Sequence, residues 1–317
     1  MMGENTMNTK KLSEIWAKYR PVLIMIVFII VAECLSRKFL TVNNIMNVLN
    51  QTSMNAILAL ALTTVILTGG IDISVGSTLA FSGAAAAWLL RAGHSTFLAV
   101  IVALVIGLAI GTLNGIFISR WNLQPMIVTL ATMSIFRGTT YLLTTGSPIS
   151  VSNPTFKMIG GGKLFGTIQV PIIILLVLAI IMHYILNNTP FGRHIYSIGG
   201  NEEAAYLSGV NTKNVKAAAY AISGLLASVV GIIMTSRLSS AQPLAGQSYE
   251  MDAIAAAVIG GTSLRGGQGK VVFSIIGALI IGMLNNILTL LDVSTYYQTV
   301  IKGIVILIAV MIDAKSN

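Results

Sequence analysis

The sequence carries very little charge for its length. Only 9% of its 317 residues are Asp, Glu, Lys or Arg, whereas soluble domains carry about 25% charged residues. With 55% hydrophobic residues and a mean hydropathy of +0.85, the chain has too few polar side chains to cover a surface that faces water. This scarcity excludes an ordinary soluble protein and predicts that lipid surrounds most of the chain.

Residue types that build catalytic centres are also rare. The chain has one cysteine, Cys34, and three histidines far apart in sequence, which excludes an internal disulfide and a thiolate metal site. The Gly-Lys pairs at 162–163 and 269–270 are followed by Leu and Val, so neither completes an ATP-binding P-loop. We therefore expect no enzyme activity, metal or cofactor in this chain, and any linked ATP hydrolysis would belong to a separate polypeptide.

The net charge of +9 does not come from a dense basic run. The cations are scattered among the connecting segments, as orientation in a membrane requires, so binding to nucleic acid is not indicated. With both termini in the cytoplasm, the inner side receives eleven Lys and Arg and the outer side six. The remaining two of the nineteen, Arg137 and Lys302, fall within apolar stretches. This bias favours two cytoplasmic termini.

Apolar stretches long enough to cross a bilayer, or nearly so, recur along the chain. They predict an all-α polytopic membrane protein of about ten spans, or eight to nine if the shortest stretches re-enter the membrane. Residues 1–20 form a cytoplasmic N-terminal segment in this interpretation, and 21–313 form one transmembrane domain with halves at 21–169 and 170–313. The stretches are 21–36, 52–69, 76–90, 97–118, 124–143, 170–187, 216–234, 251–264, 271–290 and 294–312.

A faint internal repeat links the two halves. Residues 69–76 match 260–267 as GGxx[IL]xxG, and just upstream 54–59 resemble 251–256. Five spans in each half would place the two copies in inverted orientation, and Gly-broken segments at matching places point to a substrate path. Chance matches also arise in Gly-rich membrane sequences. The glycines concerned are Gly69, Gly70, Gly76, Gly260, Gly261, Gly266 and Gly267.

Ionisable and amide side chains within apolar stretches are costly and often functional. We predict that six such polar residues lie along a translocation path. The alternative is that they form structural ion pairs or hydrogen bonds between helices, and for Lys302 and Asp292 this structural role is preferred. The predicted path residues are Asp72, Ser74, Asn114, Arg137, Asp252 and Asn285.

The polar connection 188–215 predicts a docking element on the cytoplasmic side. Its centre, Asn201 to Leu207, is typical of a short helix in which Asn201 is the cap and Glu202 and Glu203 occupy the first turn. Gly209 follows as a stop signal.

Five long segments resemble the membrane permeases of bacterial ATP-binding-cassette importers for monosaccharides, in the ribose, xylose, arabinose, galactose and autoinducer-2 branch. The resemblance covers about residues 12–313. The segments are VILTGGIDISVGS (65–77), TLATMSIFRGTTYLLTTGSPI (129–149), TPFGRHIYSIGGNEEAAYLSGV (189–210), SRLSSAQPLAGQSYEMDAIAAAVIGGTSLRGGQGKV (236–271) and YYQTVIKGIVILIAVMID (296–313).

The resemblance implies a permease in the bacterial cytoplasmic (inner) membrane that works as two copies, expected to be a homodimer. Its partners would be a cytoplasmic ATPase that binds ATP and Mg²⁺ and an external sugar-binding protein. One departure is His194, where a second Arg is common. An ion-coupled secondary carrier and a membrane enzyme are the rival interpretations. The resemblance assigns coupling to Gly192, Arg193, Glu202, Glu203, Ala204, Ala205 and Gly209.

Overall fold

The computed structural model describes the backbone of residues 2–164 and 166–316 and the side-chain surroundings of residues 19–164 and 166–311. Most of this part of the chain is helical. The helices are α1 (Met2–Leu35), α2 (Val42–Ile66), α3 (Val75–Arg91), α4 (Thr96–Arg120), α5 (Pro125–Thr144), α6 (Pro154–Gly161), α7 (Val170–Asn188), α8 (Pro190–Gly200), α9 (Glu202–Leu207), α10 (Thr212–Leu238), α11 (Tyr249–Ile259), α12 (Val271–Leu290) and α13 (Thr295–Ser316).

Each of the ten apolar stretches coincides with a helix, namely α1 to α5, α7 and α10 to α13. Six helices in the described part of the chain are long and apolar enough to cross a membrane: α2, α4, α5, α7, α10 and α12. This agrees with an integral membrane protein of nearly all-α structure. The predicted count of ten spans is not confirmed, because α3 has 17 residues and α11 only 11, and α1 and α13 are not among the six either.

Helix α2 begins ten residues earlier than its apolar stretch, at Val42 rather than at 52. The sequence in this first part of the helix is rich in Asn and Gln, which lowers its hydropathy. The helix is nevertheless at the centre of the fold, and 89% of the residues in its apolar part are buried inside the protein. Other helices therefore surround this part of α2. The apolar part of α4, in contrast, is only 28% buried, so most of it faces lipid.

Helices α4 and α10 pack with their backbones in close contact. A side chain at Gly224 would meet the carbonyl oxygen of Gly107, and one at Gly111 would meet the carbonyl oxygen of Tyr220. One turn further on, Gly115 faces Ala217. Small residues at matching positions permit this approach, which is how helices associate where lipid supplies no hydrophobic driving force.

The connection 144–168 contains short ordered elements. Strand β1 (Ile149–Ser150) pairs antiparallel with β4 (Ser240–Ala241), and β2 (Lys163–Leu164) pairs with β3 (Ile168–Gln169). Between them α6 is fixed to α10, because the Ser236 hydroxyl donates to the Phe156 carbonyl oxygen at 2.6 Å. These elements lie at the end of α10 opposite to α8 and α9.

Candidate functional site

A polar cleft of about 320 Å³ opens between α2, α10, α11, α12 and α13. Two of the predicted path residues, Asp252 and Asn285, line it. The cleft also contains residues from the polar beginning of α2 and from the end of α10. Its polar lining consists of Gln51, Thr52, Asn55, Arg237, Tyr249, Asp252, Asn285 and Lys302.

Two polar contacts between α2 and α12 fix the depth of the cleft in the helix bundle. Near the beginning of α2, the amides of Asn44 and Asn286 bond each other at 2.9 and 2.8 Å. Near its end, the Thr63 hydroxyl donates to the Ser274 hydroxyl at 2.7 Å. The two helices are therefore antiparallel, and Asn285 places the cleft toward the end of the bundle where α2 begins.

An ion pair crosses the cleft from α13 to α11. The Lys302 ammonium group lies 3.1 Å from Asp252 Oδ2, and the Asp252 side chain is 8% exposed. Each charge removes the cost of burying the other. The predicted structural role of Lys302 as a member of an ion pair agrees with this contact, although the pair stands inside the candidate site.

Three side-chain oxygens that line the cleft are buried without a hydrogen-bond partner: Thr52 Oγ1, Asn55 Oδ1 and Asn285 Oδ1. Thr52 Oγ1 stands against Gly282 of α12, where any larger residue would collide with it. Buried polar groups in proteins are nearly always paired. Other unpartnered oxygens of the described residues, such as Asn114 Oδ1 and Glu250 Oε2, lie outside the cleft, but three come together within it, which makes the cleft the best candidate place for a polar ligand.

Three other predicted path residues form a buried hydrogen-bond network at the start of α3, in which Asn114 Oδ1 has no partner among the described residues. Asp72 Oδ1 accepts from the Ser74 amide at 3.0 Å and from the Ser74 hydroxyl at 2.6 Å, and Asp72 Oδ2 accepts from the Ser223 hydroxyl at 2.8 Å. Asn114 donates to the Ser74 hydroxyl at 2.9 Å. Asp72 and Ser74 are each 1% exposed and Asn114 is fully buried. This network joins the start of α3 to α4 and α10.

The sixth predicted path residue, Arg137, bonds backbone carbonyl groups and forms no ion pair with a described residue. Its guanidinium group donates to the carbonyl oxygens of Pro243 at 3.0 Å, Ala245 at 2.8 Å and Gly76 at 3.2 Å. It thereby ties α5 to the start of α3 and to the loop before α11. Within one chain the six predicted path residues fall into three separate places, and their role in translocation stays a prediction.

The two Gly-rich segments meet each other and the end of α8. The Gly267 amide donates to the Leu67 carbonyl oxygen at 3.0 Å. A side chain at Gly199 would collide with both of these atoms, and one at Gly266 would lie 2.8 Å from the Gly69 nitrogen. Gly69, Gly266 and Gly267 all have positive φ, a conformation that favours glycine. We call Leu67, Gly69, Gly199, Gly266 and Gly267 the glycine junction.

The directions of α2 and α11 do not confirm the predicted inverted arrangement of the two matched segments. Helix α12 is antiparallel to α2, as shown above, and also to α11, since Gly277 packs on Ala256 and Gly260 packs on Phe273. Helices α2 and α11 therefore point the same way, and both matched segments end at the same side of the bundle. An inverted pair would run in opposite directions, so the inverted halves are not confirmed by these segments.

The remaining Gly positions have different roles. Gly70 faces the buried hydroxyl of Tyr220, and Gly76 faces the Glu250 carboxylate. Gly260 packs on the backbone of α12, which lets α11 and α12 cross closely. Gly261 has a φ of 80° and turns the chain out of α11.

The predicted short helix in the connection 188–215 is present as α9. The Asn201 side chain caps it by accepting from the Ala204 amide at 2.9 Å, and Gly209 ends the following turn with a φ of 85°. Ala205 is buried, whereas Tyr206 and Leu207 are 65% and 77% exposed. Glu203 and Ala204 are exposed beside them. We call Glu203, Ala204, Tyr206 and Leu207 the α9 face.

The other residues assigned to coupling hold α8 and α9 in place or remain on the surface. Gly192 packs on the Leu186 carbonyl oxygen, which lets α8 turn tightly away from α7. Both Glu202 oxygens accept from the Lys216 ammonium group, at 3.0 and 2.9 Å. Arg193 is exposed.

Helix α8, which the sequence did not predict, connects α9 to the glycine junction. Thr189 caps it by accepting from the Gly192 amide at 3.3 Å. Near its end, the Tyr196 hydroxyl donates to the Gly269 carbonyl oxygen at 2.9 Å, and burial raises the pKa of this phenol. The phenol therefore stays a hydrogen-bond donor at neutral pH. Gly199 lies one turn later, two residues before the α9 cap.

Residues 44–310 match the family described as "Branched-chain amino acid transport system / permease component". The chain belongs to this permease family. The permease is 46% identical to the ribose import permease protein RbsC of Haemophilus influenzae over 98% of each chain. It is 48% identical to the Bacillus subtilis protein of the same name, over 95% of this chain and 94% of the relative. No solved structure matches the permease.

More distant relatives have other sugars in their names. The D-allose transport system permease protein AlsC of Escherichia coli is 39% identical, over 94% of this permease and 92% of the relative. An L-arabinose transport permease, AraH of the same species, is 34% identical over 94% and 91%. Identity therefore falls from the ribose proteins to the other two.

Several residues that line the cleft were not predicted from the sequence, among them Gln51, Asn55 and Arg237. One signal was present: the internal repeat aligns Asn55 with Asp252, and both line the cleft. The polar run from Asn50 to Asn55 was a second signal, since it interrupts the apolar character of a helix at the centre of the fold.

Proposed function

We propose that this chain is the membrane-spanning permease subunit of an ATP-driven importer that translocates a monosaccharide, in first place ribose. The observation that carries this proposal is the identity of 46–48% to ribose import permeases over nearly the whole chain. The lower identities to the allose and arabinose permeases favour ribose over these sugars. Another pentose, galactose or autoinducer-2 is the alternative cargo.

The free energy for transport comes from a separate cytoplasmic ATPase, which binds ATP and Mg²⁺ and docks on the α9 face. Exposed apolar residues beside a carboxylate support this role, because Tyr206 and Leu207 stand in water unless a partner covers them. Selectivity comes largely from an external sugar-binding protein. Two copies of the permease form the working unit, and a homodimer is the simplest arrangement.

In this proposal the chain has ten spans with both termini in the cytoplasm, and this topology determines on which side of the membrane each functional part lies. The bias of eleven inner against six outer cations supports this orientation. It puts the α9 face and the glycine junction on the cytoplasmic side and the cleft toward the outside, where the binding protein releases its sugar.

The glycine junction carries movement from the ATPase to the cleft. Gly199, close before α9, is wedged between Leu67 and Gly267. These residues follow α2 and precede α12, and both helices line the cleft. Backbone packed on backbone leaves no flexible side chain to absorb a displacement of α9.

An ion-coupled secondary carrier is the more distant alternative. Such a carrier needs acids within the membrane that can bind and release a coupling ion. Asp72 is enclosed by hydroxyl and amide donors, and Asp252 is paired with Lys302. Neither arrangement favours that mechanism.

Reconstitution tests the proposal. The permease, its ATPase and its sugar-binding protein are placed in liposomes, and uptake of labelled ribose is measured with ATP and with an ATPase variant unable to hydrolyse it. We expect uptake only with the active ATPase, and competition by ribose above allose and arabinose. Uptake driven by an ion gradient without ATP would instead support the secondary carrier.

A further inference from the structure

The two unpartnered amide oxygens of the cleft approach it from different helices. Asn55 extends from α2 and is 9% exposed, and Asn285 extends from α12. Neither oxygen has a hydrogen-bond partner among the described residues. At the depth of a lipid bilayer an unpaired polar atom is costly, so a polar ligand that bonded these oxygens would remove a cost that the protein itself leaves.

The chemistry of these groups selects a class of ligand. The Asp252 carboxylate faces the Lys302 ammonium group at 3.1 Å, and the Arg237 guanidinium group also lines the cleft, so cations outnumber acids in its lining. The amides are neutral and can both donate and accept. A neutral molecule with several hydroxyl groups can bond the amides and accept from Arg237, whereas the ammonium group of a zwitterionic amino acid would be repelled by the two cations.

We propose that the cleft is the first contact site for the sugar within the permease, with Asn55 and Asn285 as its hydrogen-bonding residues. This inference rests on the proposed function. The volume of about 320 Å³ is at the small end of ligand pockets, which suits one sugar ring. Two neutral amides form a weak site, and a translocation path requires weak sites so that the substrate can leave.

The neighbouring residue provides a matched control. Asn285 lines the cleft, whereas Asn286, one position later on α12, bonds Asn44 outside it. In the reconstituted complex, we expect Asn285→Ala to lower ribose uptake per folded permease about fivefold, the loss expected for one neutral hydrogen bond. ATP hydrolysis stimulated by the loaded binding protein should persist. Asn286→Ala should reduce the yield of folded permease but leave uptake per molecule unchanged.

A second measurement does not depend on transport. The native Cys34 is the one cysteine of the chain and is exposed, so it is replaced by Cys34→Ser and a thiol is introduced by Asn285→Cys or Asn286→Cys. A small water-soluble maleimide is added with millimolar ribose or leucine. We expect ribose, and not leucine, to slow the modification of Asn285→Cys severalfold, with no effect of either on Asn286→Cys.

The outcomes separate this inference from the proposed function. If the wild-type complex imports ribose, but Asn285→Ala keeps full uptake and ribose does not protect Asn285→Cys, the cleft assignment is wrong and the function stands. Protection by leucine would assign the cleft to a zwitterion and would also overturn the inference. If the wild-type complex does not import ribose, both fail together.

Discussion

The amide nitrogen of Gly267 donates to the carbonyl oxygen of Leu67 across 3.0 Å, and Gly199 fills the space beside this bond so closely that a methyl group does not fit. Three segments that are far apart in sequence therefore touch through backbone atoms. One segment ends α8 just before α9, one follows α2 and one precedes α12. Backbone contacts thereby join the segment just before α9 to two helices of the cleft.

We predict that Gly199→Ala uncouples the importer. The added methyl group would collide with Leu67 and Gly267 and force α8 away from them. Ribose uptake and the stimulation of ATP hydrolysis by the loaded binding protein should both fall at least tenfold. A tenfold loss corresponds to about 1.4 kcal/mol in the coupling free energy between the ATPase and the cleft. Gly200→Ala is the control, since its methyl group would meet nothing within 4 Å. Equal activity of the two variants would remove the junction from the coupling route.

Glu203→Arg should weaken docking of the ATPase without affecting insertion. Glu203 is exposed and lies beside the apolar side chains of Tyr206 and Leu207. Reversal of its charge changes the surface offered to a partner, and desolvated charges at an interface are sensitive to such reversal. The ATPase that copurifies with the permease is measured by quantitative gel analysis. The control is Lys157→Glu, which changes an exposed charge at the opposite end of α10, and this variant should copurify with a normal amount of ATPase. If the Glu203→Arg permease also copurifies with a normal amount, α9 is not the docking surface.

Asp72→Leu should lower the amount of folded permease and its transport in parallel. The substitution leaves the buried donors of Ser74 and Ser223 without their acceptor, at a cost of about 3 kcal/mol. Asp72→Asn retains one acceptor oxygen and should be intermediate. Thermal unfolding in detergent gives the stability, and uptake is expressed per folded molecule. A loss of uptake per molecule well beyond the loss of folded protein would place Asp72 on the sugar path after all.

The Lys302–Asp252 pair should show strong coupling in a double-mutant cycle. Lys302→Gln leaves a buried carboxylate without its counter-charge, and we expect about 2 kcal/mol of destabilisation. The double variant Asp252→Asn with Lys302→Gln restores neutrality and should regain most of it. Unfolding temperatures of the two single variants and the double variant are compared. Additive losses would mean that the two side chains act independently.

Local rules were sufficient for elements whose stability is local. Asn201 caps α9 as its residue type and position predicted, and Gly209 ends the turn that follows. Hydropathy placed α4, α5, α7 and α12 within a few residues, because these helices expose apolar faces to lipid. Helix α2 was placed late because its first turns are rich in Asn, which lowers their hydropathy, and one of these amides, Asn44, bonds Asn286 of α12.

Contacts between distant segments could not be predicted in this way. The match between 69–76 and 260–267 drew attention to both segments, but only the fold shows that they touch each other and Gly199. Lys302 was predicted to have a structural role such as an ion pair, but its partner Asp252 could not be identified because it lies fifty residues away in the sequence. The polar path residues were selected by residue type, and residue type does not distinguish the buried network of Asp72 from the cleft of Asn285.

The central position of α2 has a consequence for how the chain enters the membrane. A translocon releases a segment sideways into lipid according to its apolar character, and the first half of α2 contains several amides that oppose release. The helices that shield it, α10 and α12, are synthesised more than a hundred residues later. We expect α2 to remain weakly held at an interface during biogenesis and to reach its final depth only when the last third of the chain has been made.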